Sequence, residues 1–375
     1  MRIGVNARRL EGQRLGVGRY IEYLVKHWGT MLNGQDEIVL YLREPPRPND
    51  VFPDAITTKV LGPRLTGLAW EAAHLPRAAR DVDVLFCPGY SRPPVFPKPT
   101  VVAIHSANEA QAGTHPWWYR LTYSPLFKRS ARAAERVIVP SRSTLEDVRT
   151  LYDIPPERLV AVPLGVDDAF APTSDRARCD EVRMRYVGMD RPFILFVGKL
   201  SQRRNIPTLV TAFAEVKRRT GMPHVLLLFG PNHLGIPLRR LAEEAGVEDA
   251  VVQVDGRVES HADLALLYNA ADLYVNPSVY EGFSLPLVEA LASGTPSVVA
   301  RRAALAEIAD GAAAFVDEPE DPLALADTIE DVLTDESLRA ELSRKGVKRA
   351  RAFRWEDTAR RTLDVLQEAA SRGAK

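Results

Sequence analysis

Residues 279–300 read VYEGFSLPLVEALASGTPSVVA and carry two glutamates, Glu281 and Glu289, around a glycine-containing turn. The stretch before the turn, DLYVNPS (272–278), has the apolar composition of a buried strand. From Leu285 onward the apolar residues recur at helical spacing. The two carboxylates therefore flank a strand-to-helix turn, and such turns are where open α/β sheets bind their ligands.

Strand-like and helix-like segments alternate along the whole chain. The strand-like runs are short, apolar and rich in β-branched residues, at 2–7, 36–42, 83–89, 100–105, 136–141, 193–199, 224–230, 251–256, 273–278, 296–300 and 313–316. Amphipathic segments with helical periodicity lie between them. This alternation predicts an α/β protein with parallel sheets covered on both faces.

Two such series predict two Rossmann-like, doubly wound domains, which suits a length of 375 residues. A polar stretch between 163–170 and 191–198 marks the boundary. We predict a first domain over 1–170 and a second over 171–355. The C-terminal helix, 356–375, is expected to pack back on the first domain.

The composition argues against several classes of protein. Lys plus Arg and Asp plus Glu each number 49, so the formal net charge is zero, which does not suit a nucleic-acid binder. The two cysteines, Cys87 and Cys179, form no disulfide framework and indicate a reducing compartment. The amino-terminal MRIGVNARRL lacks the apolar core of a signal peptide, and no apolar run has the length of a membrane span. We therefore expect a soluble, cytoplasmic protein.

A basic turn follows the first strand of the second series. FVGKLSQRRN places Lys199 at the predicted strand end, and Arg203 and Arg204 lead into a helix near Asn205. Cations beside the free N–H groups of a helix start suit a diphosphate. The alternative is that all three are solvated loop charges.

The two glutamates suit a sugar. A carboxylate accepts hydrogen bonds from vicinal hydroxyls, and the turn between them can present backbone N–H groups to the same ligand. The alternative for Glu289 is a first-turn acid that complements the helix dipole. Because Glu281 precedes the helix, that alternative explains it poorly. Since Glu281 lies in a loop, we expect Glu281→Ala to abolish activity and leave the fold intact.

Two glycines, Gly16 and Gly18, precede the first helix in RLEGQRLGVGRYIEYL and allow close approach of a ligand. A dinucleotide-dependent oxidoreductase would need a tight turn directly after the first strand and an acid that ends the second. Here eight residues separate Ala7 from Gly16, and Glu44 is the only candidate acid. The pattern therefore disfavours an oxidoreductase.

The segments GVGRY, VGKLSQRRN and DGRVESHADLALLYNAADLYVNPSVYEGFSLPLVEALASGTPSVVA together resemble retaining nucleotide-sugar glycosyltransferases of the GT-B fold, family 4. The likeness covers nearly the whole chain, and the glutamate pair spaced by seven residues is its most specific part. The resemblance implies two Rossmann-like domains that face each other across a cleft.

The resemblance implies roles for four residues in the reaction. Glu281 contacts donor-sugar hydroxyls, Lys199 and Arg204 neutralise the diphosphate, and His105 lies near the reacting sugar and the acceptor. In the mechanism favoured for the family, the leaving phosphate takes the acceptor proton, so His105 is not expected to be a general base. The alternative for His105 is a packing or capping group at the end of its strand.

The resemblance implies further contacts to the donor. Glu289 holds the ribose, and the backbone near Arg257 and Val258 meets the nucleobase. The remaining donor-binding residues act through their backbone, at Gly16, Gly18, Phe283, Ser284 and Leu285. The chain departs from the family at two points, because Lys199 precedes Arg204 where arginine then lysine is usual, and Ser284 replaces a more usual glycine.

The sequence also contains one pattern typical of metal-dependent transferases. Asp81 and Asp83 form an Asp-x-Asp motif, but they precede a predicted strand and do not end one. We expect them to cap the preceding segment. With Lys199 and Arg204 present, we predict no metal and no other cofactor.

The segment 115–137, HPWWYRLTYSPLFKRSARAAERV, mixes aromatic and basic residues. One interpretation is peripheral contact with an anionic membrane at its inner face, where lipid-linked acceptors reside. The other, which we favour, is an ordinary amphipathic helix whose aromatic side chains fill the core.

The combined prediction is a metal-independent, retaining hexosyltransferase of glycan or glycolipid biosynthesis. GDP-mannose or a UDP-hexose is the favoured donor, and a saccharide or a lipid-linked hydroxyl compound is the acceptor. Two alternatives stay open. An epimerase of the same fold would release nucleotide without needing an acceptor, and a non-catalytic nucleotide-sugar binder would bind donor without turnover.

Overall fold

A computed structural model describes residues 1–11, 16–32, 36–47, 50–62, 65–110, 117–188, 191–256 and 260–373. The chain divides into two compact units. The first consists of Met1–Gly165 with Arg354–Lys375, and the second of Val166–Phe353.

In the described part of the first unit, seven parallel strands form one sheet in the order β3-β2-β1-β4-β5-β6-β7. The strands are β1 (Arg2–Asn6), β2 (Glu37–Leu42), β3 (Ile56–Val60), β4 (Val84–Cys87), β5 (Thr100–Ala103), β6 (Arg136–Val139) and β7 (Leu159–Ala161). The helices are α1 (Val17–Met31), α2 (Gly67–Ala73), α3 (Leu75–Ala78), α4 (Trp117–Ala133) and α5 (Arg142–Tyr152).

The second unit repeats this plan, with six parallel strands in its described residues in the order β10-β9-β8-β11-β12-β13. The strands are β8 (Phe193–Val197), β9 (Val225–Phe229), β10 (Val251–Val254), β11 (Leu273–Asn276), β12 (Ser297–Ala300) and β13 (Ala314–Val316). The helices are α6 (Arg176–Val187), α7 (Ile206–Thr220), α8 (Leu238–Glu244), α9 (His261–Ala270), α10 (Leu285–Ala292), α11 (Ala303–Ala309), α12 (Pro322–Thr334) and α13 (Glu336–Ala350).

The predicted fold class, with two Rossmann-like parallel-sheet domains, is confirmed. Central strands such as β9, VLLLF, are buried at every position, because helices cover both faces of a parallel sheet. Two strands were not predicted from the sequence. β3 (ITTKV) is a partly exposed edge strand with polar residues, and β7 has only three residues, so neither produces a strong apolar signal.

In each sheet, the order in which successive strands are added reverses at one central strand. In the first unit β2 and β4 lie on opposite sides of β1, and in the second β9 and β11 lie on opposite sides of β8. Loops that leave the carboxyl ends of such neighbouring strands diverge, which opens the crevice where this class of sheet binds ligands. Candidate ligand-binding residues are therefore expected on the loops after β1 and β4 and on those after β8 and β11.

The last helix, α14 (Trp355–Gly373), belongs to the first unit. The indole N–H of Trp28 in α1 donates to the Ala359 carbonyl at 2.9 Å. Arg136, at the start of β6, pairs with Glu368 at 2.7 Å. The ring of Trp355 stacks on Tyr23 with centroids 4.6 Å apart. These contacts fix α14 against α1 and the first sheet.

Candidate active site

The basic turn and Glu281 lie on neighbouring loops of the second unit. Lys199, Arg203 and Arg204 follow β8, and Glu281 follows β11, which pairs directly with β8. These loops leave the sheet where its strand order reverses. The strand order therefore brings together residues that are distant in sequence.

Arg203 and Arg204 both bind the carboxylate of Glu281. Arg203 Nη1 lies 3.1 Å from Glu281 Oε2 and also donates to the Tyr280 carbonyl at 2.7 Å. Arg204 Nη2 lies 3.3 Å from Oε1. The Ser278 hydroxyl is 3.2 Å from the same Oε1. Glu281 is only 6% exposed, so on the structure we expect its removal to destabilise the second unit, unlike the expectation from the sequence.

This arrangement keeps Glu281 ionised. Burial raises the pKa of the Glu281 carboxyl, but the charges of Arg203 and Arg204 and the hydrogen bonds from Arg203 and Ser278 outweigh burial, so its pKa lies below the usual range. Burial lowers the pKa of Arg204, and the charge of Glu281 opposes that effect. Arginine remains a cation under all ordinary conditions. The site is therefore a buried carboxylate between two guanidinium groups.

A second set of hydrogen bonds shapes the turn that carries Glu281. Asn276 Oδ1 lies 2.6 Å from the Ser278 hydroxyl, and Asn276 Nδ2 donates to Ser284 Oγ at 3.3 Å. Asn276 Nδ2 also donates to the Tyr274 hydroxyl at 3.2 Å. The side chain of the last residue of β11 thus connects both ends of the turn.

Three non-glycine residues around this turn have left-handed backbone. They are Asn205 (φ 57°), Ser284 (φ 87°) and Ala303 (φ 43°). Asn205 follows Arg204, and the amide of Ala304 donates to the Glu281 carbonyl at 3.3 Å. A left-handed residue with a side chain costs about 1–2 kcal/mol, so this part of the backbone stores strain.

Glu289 lies in the second turn of α10, fully buried, and accepts a hydrogen bond from the Tyr268 hydroxyl at 3.0 Å. The first turn of α10 contains no acidic residue, so the interpretation of Glu289 as a first-turn acid is wrong. The Tyr268 carbonyl in turn accepts from Thr295 Oγ1 at 2.8 Å. Glu289 is thus held by a hydrogen bond from α9.

Lys199 differs from the two arginines. Its side chain is exposed, and within the described ranges no acidic group pairs with it. The residue before it, Gly198 (φ 142°), lies against Arg204, whose Nη1 is 1.9 Å from the position that a Cβ would take. A side chain at position 198 would therefore be strained at this φ and would press on the Arg204 guanidinium that reaches Glu281.

In the first unit, Gly16 caps α1 with a positive φ of 39°, and Gly18 is buried in the first turn. This turn has no acidic residue and no side-chain cap. A helix start without an acid and without a side-chain cap suits an anion.

His105 lies two residues after β5 and is a neutral side chain. Its Nε2 is 2.8 Å from the Pro88 carbonyl, which can only accept, so Nε2 carries the proton and Nδ1 keeps a lone pair. The ring packs edge-on against Tyr20, with centroids 5.0 Å apart, and against Tyr90 at 5.6 Å. Burial lowers the pKa of His105 to about 4, and the Pro88 carbonyl opposes that shift.

The structure brings some of the predicted residues together and not others. Arg204, Glu281, Ser284 and Glu289 lie around one turn of the second unit. Phe283 and Leu285 belong to the same turn, and Phe283 packs edge-on against Phe353 at 5.7 Å. Gly16, Gly18 and His105 belong to the first unit. Arg257 and Val258 lie outside the described residues.

Sequence reasoning placed Arg203 in the basic turn but did not include it among the catalytic or donor-binding residues. Considered alone it has the pattern of a solvated loop charge, yet it makes two of the hydrogen bonds that hold this turn. A signal was available, because a buried carboxylate needs paired cations and two arginines stand in tandem.

The Asp-x-Asp motif serves another purpose. Asp81 and Asp83 lie at the amino end of β4, where Asp81 Oδ2 accepts from Arg2 Nη1 at 2.6 Å and Asp83 Oδ2 accepts from the Arg2 amide at 2.7 Å. They bind the start of β1 and do not cap the preceding segment. Among residues with described positions, no group of three His, Cys, Asp or Glu side chains is arranged to hold a metal ion.

Helix α4 exposes part of the aromatic segment. Trp117 is 72%, Trp118 54% and Leu121 69% exposed, whereas Phe127 packs against the first-unit core. The interpretation that the aromatics fill the core is therefore wrong for the start of the helix. No helix in the described ranges combines the length and the apolar character that crossing a membrane requires.

Two protein-family models match the chain. Residues 15–170 match the model described as Glycosyltransferase Family 4, and residues 185–349 match the model described as Glycosyl transferases group 1.

Curated relatives carry related descriptions. A D-inositol 3-phosphate glycosyltransferase of Corynebacterium efficiens is 32% identical over 243 residues, which are 63% of this chain and 57% of the relative. The O-antigen chain mannosyltransferase B of Escherichia coli is 29% identical over 238 residues, 64% of this chain and 62% of the relative. The MMP alpha-(1->4)-mannosyltransferase of Mycolicibacterium hassiacum is 30% identical over 291 residues, 74% and 67% respectively. The chain thus spans less than two thirds of the first two.

Solved structures show the same fold. The sucrose-phosphate synthase of Thermosynechococcus elongatus superposes with a TM-score of 0.78 at 21% identity, covering 99% of both chains. Anabaena HepE in complex with UDP-glucose gives 0.75 at 17% identity, again covering 99% of both. WaaG, a glycosyltransferase involved in lipopolysaccharide biosynthesis, gives 0.75 at 17% identity, covering 98% of this chain and 99% of that one. At these identities the likeness establishes the fold alone.

Proposed function

Because this chain belongs to the family 4 type of glycosyltransferases, we propose that it moves a hexosyl unit from a nucleoside diphosphate sugar to a hydroxyl acceptor, with retention of configuration. The observation that carries the proposal is the pair of arginines on Glu281, at the point where the second sheet reverses its strand order. A buried carboxylate with cations beside it suits a ligand that is a sugar at one end and a diphosphate at the other.

Charge stabilisation of the leaving diphosphate is the main task of the second unit. Lys199 is exposed and pairs with no acid of the described residues, and α7, fifteen residues long, begins after Arg204 with no acid in its first turn. A lysine, an arginine and a helix start therefore supply positive charge at one place. Interactions of this kind act without reorganisation when negative charge develops, and losing one costs about 2.7–4 kcal/mol of barrier.

Glu281 positions the donor sugar in this proposal. Glu281 keeps lone pairs to accept from sugar hydroxyls while Arg203 and Arg204 hold it, and Glu289 takes the ribose. His105 is neutral, so its Nδ1 accepts a hydrogen bond from a substrate hydroxyl. The bond between the anomeric carbon and the diphosphate breaks, and the acceptor oxygen bonds the same face. The acceptor proton passes to the departing phosphate oxygen.

GDP-mannose or a UDP-hexose is the donor that we propose, with no metal ion. The names of two relatives as mannosyltransferases and the UDP-glucose bound to HepE support these donors. The glycan-related names support an acceptor in glycan or glycolipid assembly. Lys199 and Arg204 supply the positive charge that a divalent ion supplies elsewhere.

A thermal-shift screen of GDP, UDP, ADP and dTDP with their sugars tests the donor site, because a bound ligand stabilises the folded chain by mass action. We expect one nucleotide to raise Tm, and Lys199→Ala to reduce that rise. Lys348→Ala removes an exposed lysine from α13 of the same unit and is the matched control. Absence of any nucleotide effect, or equal shifts in both variants, would sink the proposal.

Product analysis then tests the reaction and the metal. Nucleotide release should require an acceptor, which separates transfer from epimerisation and from binding alone. Activity should persist in EDTA. If EDTA abolished transfer and manganese restored it, the metal-free mechanism would be wrong.

We also propose that α4 contacts an anionic membrane as a peripheral surface. Trp117, Trp118 and Leu121 are exposed, and a cavity of about 390 Å³ further along the helix is lined by Pro125, Lys128, Arg129, Arg132 and Ala133. Apolar side chains beside basic ones match the interface of an anionic bilayer.

Vesicle flotation with and without phosphatidylserine tests this contact. The full chain should float with anionic vesicles, less so in high salt, and Trp117→Ser with Trp118→Ser should reduce flotation. Leu323→Ser, which removes an exposed apolar residue of the second unit, is the control and should float as the parent does. Equal flotation of all variants, or none of the parent, would contradict membrane contact.

A further inference from the structure

A cluster of charged side chains lies at the carboxyl ends of β1 and β4 in the first unit, at its own reversal of strand order. The cluster consists of Arg8, Arg9 and Arg92 around Glu71, and we call it the arginine cluster. None of these residues takes part in the donor site described above.

Glu71 and Arg8 form a closed, buried pair. Glu71 Oε2 accepts from Asn6 Nδ2 at 2.7 Å and from Ser91 Oγ at 3.0 Å, and it lies 3.3 Å from Arg8 Nη2. Arg8 Nη2 also donates to Ser91 Oγ at 2.9 Å. Burial raises the pKa of Glu71 and lowers that of Arg8, and the charge of each opposes the shift of the other. The one carboxylate of the cluster is therefore already neutralised.

Neither Arg9 nor Arg92 forms an ion pair with a carboxylate in the part of the chain that the structure describes, although the charge of Glu71 acts on both at longer range. Arg9 is exposed and crosses Gly89 directly after β4, with its Cγ 3.7 Å and its Nε 4.0 Å from where a Cβ would stand. Arg92 is half-buried, and its Nε is buried with no acceptor among the residues that the structure describes. Burial is the main cause that lowers the pKa of Arg92. A buried, unpaired guanidinium N–H is costly, so a partner for it is expected.

The cluster lies beside His105. The carbonyl that accepts from His105 Nε2 belongs to Pro88, the residue before the Gly89 that Arg9 crosses. Arg9, Gly89 and His105 thus meet where the loops after β1, β4 and β5 come together. Within the proposed function, this edge of the first unit is the acceptor side, and the diphosphate is assigned to cations of the second unit.

We propose that the acceptor carries an anionic group, a phosphate or a carboxylate, and that Arg9 and Arg92 bind it. The proposal rests on the proposed transfer to a hydroxyl acceptor and names the class of that acceptor. Two guanidinium groups fit such an anion because each donates two parallel N–H groups to a pair of oxygens. Bound this way, the anion holds the acceptor's hydroxyl near the neutral His105.

Calorimetric titration of the full chain with matched pairs of compounds tests the assignment without any turnover. The probes are glycerol against glycerol 3-phosphate and glycerate, and mannose against mannose 6-phosphate. An anionic member of a pair should bind at least about tenfold more tightly than its neutral partner, which corresponds to about 1.4 kcal/mol. The double variant Arg9→Gln with Arg92→Gln should lose that preference.

Arg80→Gln is the control, because Arg80 is exposed at the amino end of β4, on the other edge of the sheet. It should keep the preference for the anion. Arg9→Gln alone is a second probe, since an exposed side chain can be changed without unfolding the chain, and it should weaken anion binding by itself.

Two results would overturn the inference. One is equal binding of charged and neutral probes to the parent protein. The other is loss of GDP or UDP binding in the double variant with anionic probes unaffected, since the arginines would then serve the donor. A chain that binds anionic probes but no nucleotide would refute the proposed function alone.

Discussion

The paired arginines on Glu281 yield a stability prediction that can be worked from distances. At an effective dielectric constant of 20, charges 3.1 Å and 3.3 Å apart attract by about 5 kcal/mol each before desolvation is counted. Desolvation offsets much of this gain, but removing one partner of a buried pair leaves the others uncompensated, at about 3–5 kcal/mol. Glu281→Gln should therefore cost the second unit about 3–5 kcal/mol of unfolding free energy.

Arg203→Gln should cost less, about 2 kcal/mol, because Arg204 and Ser278 still hold Glu281. In the double variant, Arg203→Gln should cost less again, since the carboxylate that it bound is gone. We expect the combined Glu281→Gln and Arg203→Gln variant to lose about 1–3 kcal/mol less unfolding free energy than the two single losses added together.

Native-state hydrogen exchange measures this locally, because the chain has two units and one global unfolding transition is not assured. Amides of β8 and β11 should open more easily in Glu281→Gln, and amides of β1 and β4, in the other unit, should be unchanged. The paired-charge account would be refuted if the losses of the two single variants added to that of the double variant within about 0.5 kcal/mol. Unchanged amide exchange of β11 in Glu281→Gln would refute it as well. Activity should be compared per folded molecule, because loss of transfer in Glu281→Ala alone does not separate function from folding.

Other predictions concern pH and backbone strain. Burial raises the pKa of the Glu109 carboxyl from 4.5 to about 7, so the free energy of unfolding falls as the pH rises between those values. Glu109→Gln should therefore raise the free energy of unfolding at pH 8 by about 3 kcal/mol, measured by urea unfolding. An unchanged free energy of unfolding would contradict this prediction. Burial lowers the pKa of His105 from 6.5 to about 4, so the free energy of unfolding falls as the pH drops through that range. In the Glu109→Gln variant, the opposite effect of Glu109 is removed, and this loss of stability at low pH should be seen directly. A free energy of unfolding that does not change with pH in this variant would count against the prediction. Ala303→Gly should raise the unfolding free energy by about 0.5–1 kcal/mol by relieving a positive φ, whereas Ala306→Gly inside α11 should lower it by about as much; the same sign for both would refute the strain.

Local pattern was enough for most of the fold. Fully buried strands such as β9 appear as continuous apolar runs because helices cover both faces, and helix limits follow from glycine and proline. Helix α10, for example, ends at Ala292, directly before Ser293 and a Gly294 with a φ of 75°. The strands that escaped prediction, β3 and β7, lie at the edges of the first sheet, where burial places little constraint on sequence.

The glutamate pair and the basic turn could be identified as candidates from the sequence, because both follow strand-like runs and strand ends are where this class of sheet binds ligands. The ion-pair partner of Glu281 could not be identified from the sequence. Arg203 and Glu281 are 78 positions apart, and no local pattern states that β8 lies beside β11. The same holds for Glu71, whose neutralisation depends on β1 and β4 being neighbours.

The amino-acid sequence by itself determined the alternation of strands and helices and the positions of the candidate residues at strand ends, because burial and periodicity act over a few residues. Only the tertiary structure decided which of these ends are adjacent, and hence that Glu281 is clamped by two arginines while Arg9 and Arg92 are not paired with an acid in the described residues. The physical reason is that charge interactions act between neighbours in space, and the order of strands in a sheet, which sets those neighbours, is not written in any local stretch of the chain.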